Sequence, residues 1–145
     1  MPYVVETSIG LDRMFLTVLS HAFREEQLEN GESRVVLKIP ALLAPIKAAI
    51  LPLTKKDGMP EKAREIMKSL QIDFNCQYEE KDSIGKRYRR QDAIGTAFCI
   101  TVDHQTLEDN TVTIRDRDTM EQERVSVEKL HSIIAEKVNI AKYLA

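Results

Sequence analysis

The chain has 145 residues, 43% of them hydrophobic and 30% charged, with a formal net charge of -2 at pH 7. That length suits one ordinary domain and leaves no room for two full ones, and the composition is that of a globular protein, not a disordered or fibrous one. The longest apolar stretch, near residues 48–53, is far below the ~20 residues that span a bilayer, and the near-neutral balance means that any nucleic-acid affinity must come from a local patch.

In chain order, residues 3–6 read as a short strand, with Tyr3, Val4 and Val5 apolar and Gly10 ending the run. The opening residues lack the basic and apolar sections of a signal peptide, so a cytoplasmic location is expected. A helix follows over residues 11–23: Leu11, Met14, Phe15, Val18, Leu19, Ala22 and Phe23 recur at steps of three and four, a stripe that needs a partner. Glu25, Glu26 and Glu29 extend it into a polar turn at Asn30-Gly31, and residues 34–39 form a second possible strand. Pro40 and Pro45 bracket a connector, and the composition shift places a domain boundary near residue 44.

Beyond Lys47 the rhythm becomes strand, helix, strand, helix, strand. Residues 48–53 suit a strand covered on both faces, with Pro52 near its end. Residues 55–58 turn the chain, Pro60 opens a helix, and Ala63, Ile66, Met67 and Leu70 supply its buried stripe. Phe74, Cys76 and Tyr78 alternate as in a strand with one wet face, and Asp82 or Ser83 can cap a short helix running to about Asp92. Gly95 precedes an apolar strand over residues 96–102. Strands separated by helices imply parallel pairing through right-handed crossovers. Residues 111–117 then alternate Val112 and Ile114 inward with Thr113, Arg115 and Arg117 outward, and residues 122–125 return antiparallel after a short turn. Ser126 caps a last helix whose core face is Leu130, Ile133, Ile134 and Val138. The expected fold class is α/β, a mixed sheet of about five strands with three helices.

No self-sufficient active site is visible: there is no glycine-rich phosphate loop, nucleophile elbow or histidine pair at metal spacing. His21, His104 and His131 accompany no motif, and Cys76 and Cys99 read as thiols serving as small core residues. Two segments stand out. In Asp82-Ser-Ile-Gly-Lys-Arg-Tyr-Arg-Arg-Gln-Asp92, the cations Lys86, Arg87, Arg89 and Arg90 surround Tyr88. An RNA backbone would relieve their mutual repulsion and Tyr88 could stack on a base; the plainer reading is a solvated face neutralised by Glu79, Glu80 and Asp82. In Thr111-Val-Thr-Ile-Arg-Asp-Arg-Asp118, Arg115 and Arg117 share one strand face and Asp116 takes the other. Guanidinium and carboxylate groups can read base edges, while a cross-strand ion-pair ladder with Glu121 and Glu123 is the structural counterpart.

These two segments, with Ala48-Ala-Ile-Leu-Pro-Leu53, the helix after Met59-Pro60 and Ile94-Gly-Thr-Ala-Phe-Cys99, resemble the anticodon-binding domain of glycyl-tRNA synthetases, in that family's order and over nearly all of residues 45–138. The related prolyl, threonyl and histidyl enzymes share the fold but carry different residues in the basic helix and the Ile-Arg-Asp-Arg strand. Val4-Val-Glu-Thr-Ser-Ile-Gly-Leu-Asp-Arg13 resembles the last strand and helix of a class II synthetase catalytic domain, with Thr7 where family members often have proline. The resemblance implies a remnant of that domain over residues 1–44, an anticodon-binding domain of the class IIa type over residues 45–145, and a C-terminal piece of glycine–tRNA ligase. It implies Glu6 and Ser8 for glycine, Arg13 for ATP, and Lys86, Arg87, Arg90, Arg115, Asp116 and Arg117 for the anticodon stem-loop of glycine tRNA.

In the full enzyme, ATP with Mg would convert glycine to an enzyme-bound adenylate that is passed to tRNA. The two earlier class II motifs are absent from this sequence, so no complete catalytic set, bound cofactor or metal is expected here. A homodimer of the longer enzyme is implied by resemblance; the unpartnered helix from Leu11 to Phe23 invites self-association of this chain. Two other readings remain at this stage: a non-catalytic nucleic-acid-binding accessory protein on the same domain, which the glycine-pocket residues Glu6, Ser8 and Arg13 disfavour, and an α/β interaction module whose basic helix is merely solvated.

Overall fold

The computed structural model describes residues 3–28 and 31–141. Helix α1 (Leu11–Ala22) runs straight into strand β1 (Phe23–Gln27), which pairs antiparallel with β2 (Ser33–Leu37). The main unit holds β3 (Ala48–Pro52), α2 (Met59–Leu70), β4 (Cys76–Tyr78), α3 (Ile84–Ile94), β5 (Phe98–Val102), α4 (His104–Asp109), β6 (Thr111–Asp116), β7 (Gln122–Ser126), a 3-10 turn and α5 (Leu130–Lys137). Its five strands lie in the order β4-β3-β5-β6-β7, the first three parallel and the last two pairings antiparallel. The expected mixed sheet is therefore present.

Alternation along the strands divides the core. Ala48 and Ile50 of β3, Phe98, Ile100 and Val102 of β5, and Val112 and Ile114 of β6 point into the larger cluster, where Met59, Ala63, Ile66 and Leu70 of α2 and Leu130 and Ile134 of α5 meet them. Ala49, Leu51 and Cys99 face the other way, under Ile84 and Tyr88 of α3. Helices on both faces explain why β3 and β5 are buried along their whole length. Pro52 sits at the last position of β3, as a residue without an N–H must, and the next amide, Leu53 N–H, donates to Val102.

Several expectations are corrected. Residues 3–10 are exposed and form no strand, because the described residues offer that apolar run no neighbouring strand. Glu25 and Glu26 belong to β1 and not to a helical tail: the α1 ladder stops at Phe23, whose backbone is extended. Of the turn expected at Asn30-Gly31, Asn30 lies outside the described residues, as does Glu29, while Gly31 has the positive φ of 79° that suits glycine. A further helix, α4, is nucleated by a capping box in which the Asp103 carboxylate accepts from Thr106 N–H at 3.0 Å and the Thr106 hydroxyl accepts from Asp103 N–H at 3.1 Å. The outward face of β6 is also not wet throughout, since α3 and the β1–β2 hairpin cover Arg115.

The hairpin is held close to α3 at one point that only glycine satisfies. Gly95, the C-cap of α3, has φ 82°, and a Cβ there would lie 3.1 Å from the Leu37 carbonyl and 3.2 Å from the Ile39 side chain.

Candidate nucleic-acid interface

Helix α3 carries the cationic segment, and its inward stripe is polar. Ile84, Arg87, Tyr88, Gln91 and Asp92 follow helical spacing, and Arg87, Gln91 and Asp92 are all buried. The Arg87 guanidinium donates to Pro52 O at 2.6 Å, Glu79 O at 3.3 Å and Leu53 O at 3.4 Å, which staples the loops leaving β3 and β4 to the start of α3. Burial pushes its pKa down, against the pull of Glu79. The Arg87 head group, at 3% exposure, presents no donor to a phosphate.

Arg115 and Arg117 are likewise internal. Arg115 forks onto Asp92 (Nη1–Oδ1 2.8 Å, Nη2–Oδ2 3.1 Å), its guanidinium carbon lies 5.0 Å from the centre of the Tyr88 ring, and the Tyr88 hydroxyl meets Thr101 Oγ1 at 2.6 Å. Burial is the largest single influence on the Arg115 pKa and lowers it, but the hydrogen bonds to Asp92 and the Asp92 charge act together against it and the net direction is upward. Arg117 donates to Gly95 O at 2.9 Å, Ile39 O at 2.7 Å and the Asp118 carboxylate. Neither forms the expected ladder with Glu121 and Glu123. Asp116 faces away from α3, beside a cavity of about 470 Å³ lined also by Phe98, Ile114 and Glu123, and one of its oxygens accepts the Asp118 and Thr119 amides of the β6–β7 turn.

The basic helix and the arginine-bearing strand do converge, but at a buried ion cluster and not at an open surface. This corrects the expectation that Arg87, Arg115 and Arg117 touch RNA directly. All three aim inward and give their terminal Nη donors to protein acceptors, while Arg87 Nε is buried without a partner.

What remains outside is concentrated at the carboxyl edge of the parallel strands. Arg90 is half-exposed and already paired, donating to Glu79 at 2.6 Å and Asp82 at 2.8 Å; these bonds raise its pKa and hold Asp82 below the usual carboxylate range. Arg89 is tied to Glu32. Lys86 is exposed, and its ammonium group, like those of Lys55, Lys56 and Lys81, makes no hydrogen bond or ion pair among the described residues; Lys86 and Lys81 meet Asp82 only through space. Lys81 and the Lys55-Lys56 pair ride on the two loops that Arg87 staples. These three lysines escape notice in the sequence because they lie in separate turns that the fold brings to one edge.

On the same sheet face as Tyr88, the β6–β7 strip is half-exposed. Thr113 stands opposite Thr101 on one side and Arg124 on the other, and Thr111 opposite Ser126. The Arg124 guanidinium grips Asp103 (2.5 and 2.9 Å) and donates to Thr111 Oγ1 at 2.7 Å; its hydrogen bond is the main reason the Asp103 pKa is lowered. Arg124 gives no sequence signal, since it stands alone between Glu123 and Val125. Glu6, Ser8 and Arg13 are exposed on the N-terminal arm.

A family model described as an anticodon binding domain matches residues 47–137. Over 138 residues, 95% of this chain, the sequence is 54% identical to glycine–tRNA ligases of Clostridium tetani and Chlorobaculum tepidum, and 49% identical to that of Borrelia hermsii. The chain spans only 29% to 31% of the length of these relatives. A crystal structure of the RNA binding domain of threonyl-tRNA synthetase from Cryptosporidium parvum is similar with a TM-score of 0.63 at 22% identity, covering 69% of this chain and 25% of that one, a likeness of fold. On the match over residues 47–137 and the mixed sheet that those residues build, the chain belongs to the anticodon-binding domain family.

Proposed function

We propose that this chain is the anticodon-binding, C-terminal part of a glycine–tRNA ligase and that its carboxyl-edge surface holds the anticodon stem-loop of glycine tRNA. The observation that carries the reading is the set of unpaired lysines, Lys55, Lys56, Lys81 and Lys86, gathered at the edge of a family domain in a chain otherwise close to neutral. Phosphates engage these ammonium groups, and the outer side of Arg90 adds a fifth charge. Unpaired loop bases lie on the strip beside Tyr88, where Thr111, Thr113 and the Arg124–Asp103 pair offer donors and acceptors to Watson–Crick edges. Arg87, Arg115 and Arg117 serve this surface from behind by fixing its backbone and the Tyr88 ring.

In the longer enzyme, glycine and ATP form an adenylate, and the glycyl group then passes to the 3′ end of the tRNA. Glu6 receives the glycine ammonium, Ser8 closes the pocket and Arg13 holds ATP, the remaining groups being supplied from outside these 145 residues. Among the described residues no group of His, Cys, Asp and Glu converges to hold a metal ion, so no step here is assigned to Mg. The longer enzyme is a cytoplasmic homodimer; within this chain no described helix is long and apolar enough to cross a membrane.

The test is a titration of the chain with the anticodon stem-loop of glycine tRNA and with loops bearing substituted anticodon bases, each at several salt concentrations. Steep salt dependence with weaker binding of the substituted loops is expected. Equal affinity for all loops would refute anticodon reading; no binding at any salt would identify the lysine edge as merely solvated.

A further inference from the structure

Resting on the RNA-binding reading, we infer that Arg34, on a hairpin outside the span matched by the family, is a positioning residue for the RNA-facing side of α3. Arg34 is 4% exposed, so no phosphate reaches it. Its donors reach three elements at once: Nε to Glu26 of β1 at 2.8 Å, Nη1 to Asp92 of α3 at 3.0 Å, and Nη2 to the Arg117 carbonyl beyond β6 at 3.3 Å. Asp92 relays the constraint, for the oxygen that accepts from Arg34 also accepts from Arg115 at 3.1 Å, and its other oxygen takes Arg115 at 2.8 Å.

The Arg115 plane fixed in this way lies against the Tyr88 ring, Tyr88 bonds to Thr101, and Thr101 stands opposite Thr113 on the open strip. A line of contacts therefore runs from the hairpin through Asp92, Arg115 and Tyr88 to Thr101, whose strand partner Thr113 lies at the bases' proposed resting place. Without Arg34, Asp92 keeps only Arg115, and that pair is free to settle into a different fork geometry that turns the cation under Tyr88. The planar, five-donor guanidinium is the one side chain that can serve Glu26, Asp92 and the Arg117 carbonyl together. Gly95 keeps the hairpin near enough for this, since its missing Cβ admits the Leu37 carbonyl.

The test uses the whole 145-residue chain carrying R34M, with R24M, an exposed change on the same hairpin, as the control. Circular dichroism melts set a working temperature at which every variant is folded. Binding of the anticodon stem-loop and of a base-substituted loop is then measured across salt. The proposal expects R34M to weaken cognate binding about tenfold and to narrow the cognate-to-substituted ratio, at an unchanged salt slope. R34K, which keeps the charge beside Asp92 but not the fork, should fall between the two, and R24M should match the unaltered chain. Unchanged affinity and ratio in a folded but less stable R34M would overturn it, as would a loss of about one unit of salt slope, which marks a direct phosphate contact.

Absence of binding by the unaltered chain would sink the RNA-binding reading instead. The Tyr88 ring resonances, read by NMR without RNA, then still decide whether Arg34 sets the cation beneath that ring: a shift in R34M supports the positioning role and an unmoved signal overturns it.

Discussion

Asp92 accepts guanidinium hydrogen bonds from Arg34 and Arg115 at 2% exposure, and its removal leaves the buried Arg115 without its carboxylate and Arg34 with Glu26 as its one remaining carboxylate. Breaking such a pair costs about 3–5 kcal/mol, so D92A should lower the thermal midpoint by roughly 10 °C or more, read by calorimetry. Lys86 is the opposite case, exposed and unpaired. K86A should leave the melt within about 1 °C while weakening all RNAs alike and reducing the salt slope by about one. The thiols provide a pH test. Burial pushes Cys99 up to about 12 and Cys76 up to about 11, so the folded state favours the neutral forms. The stability they contribute is complete below the ordinary thiol range and lost as pH rises through those values. Alkylation at pH 8, followed by mass spectrometry, should be at least tenfold slower than in urea for both, since the thiolate is the reactive form; fast labelling of Cys99 would contradict its burial. Helical spacing in the segment from Lys86 to Arg90 separates Arg87 from the side shared by Lys86, Arg89 and Arg90, but it does not show that Arg87 is buried against the carbonyls of Pro52, Leu53 and Glu79. The pattern Ile84, Arg87, Tyr88, Gln91, Asp92 has helical spacing, yet a hydrophobic reading passes over it because the stripe pointing at the sheet is mostly polar.

At the level of elements, the strands and helices of residues 48–138 could be read because apolar alternation and spacing are strong there, as in β3 and in the Ala63, Ile66, Leu70 stripe of α2. The β1 strand could not: Arg24, Glu25 and Glu26 lack apolar alternation, and only pairing with β2 makes them a strand. The short α4 also escaped, being specified by its Asp103–Thr106 capping box and not by an apolar face. Gly95 makes the hairpin contact testable. G95A places a side chain at φ 82° against the Leu37 carbonyl and should cost about 1–3 kcal/mol, measured by urea unfolding. Helix α1 leaves Leu11, Phe15 and Leu16 each more than 60% exposed. Sedimentation should therefore show mass rising with concentration and F15E suppressing it; a strict monomer at high concentration would refute that association.

For the molecule as a whole, the resemblance implies a catalytic remnant over residues 1–44 and a binding domain over residues 45–145, and the fold alone reveals how the β1–β2 hairpin and the segment after it meet the sheet unit, through Arg34, Ile39 and Gly95. With Glu6, Ser8 and Arg13 exposed on an arm that builds no enclosed pocket among the described residues, these 145 residues should give no glycine-dependent ATP–pyrophosphate exchange, and measurable exchange would refute this. The staple formed by Arg87 has one more consequence. Because a single planar cation gathers carbonyls from two loops, the lysines above it ride on a frame whose pitch is set before any RNA arrives. Under the proposed function, the loops carrying Lys55, Lys56 and Lys81 then need little ordering on binding, which lowers the entropic cost of engaging a phosphate backbone.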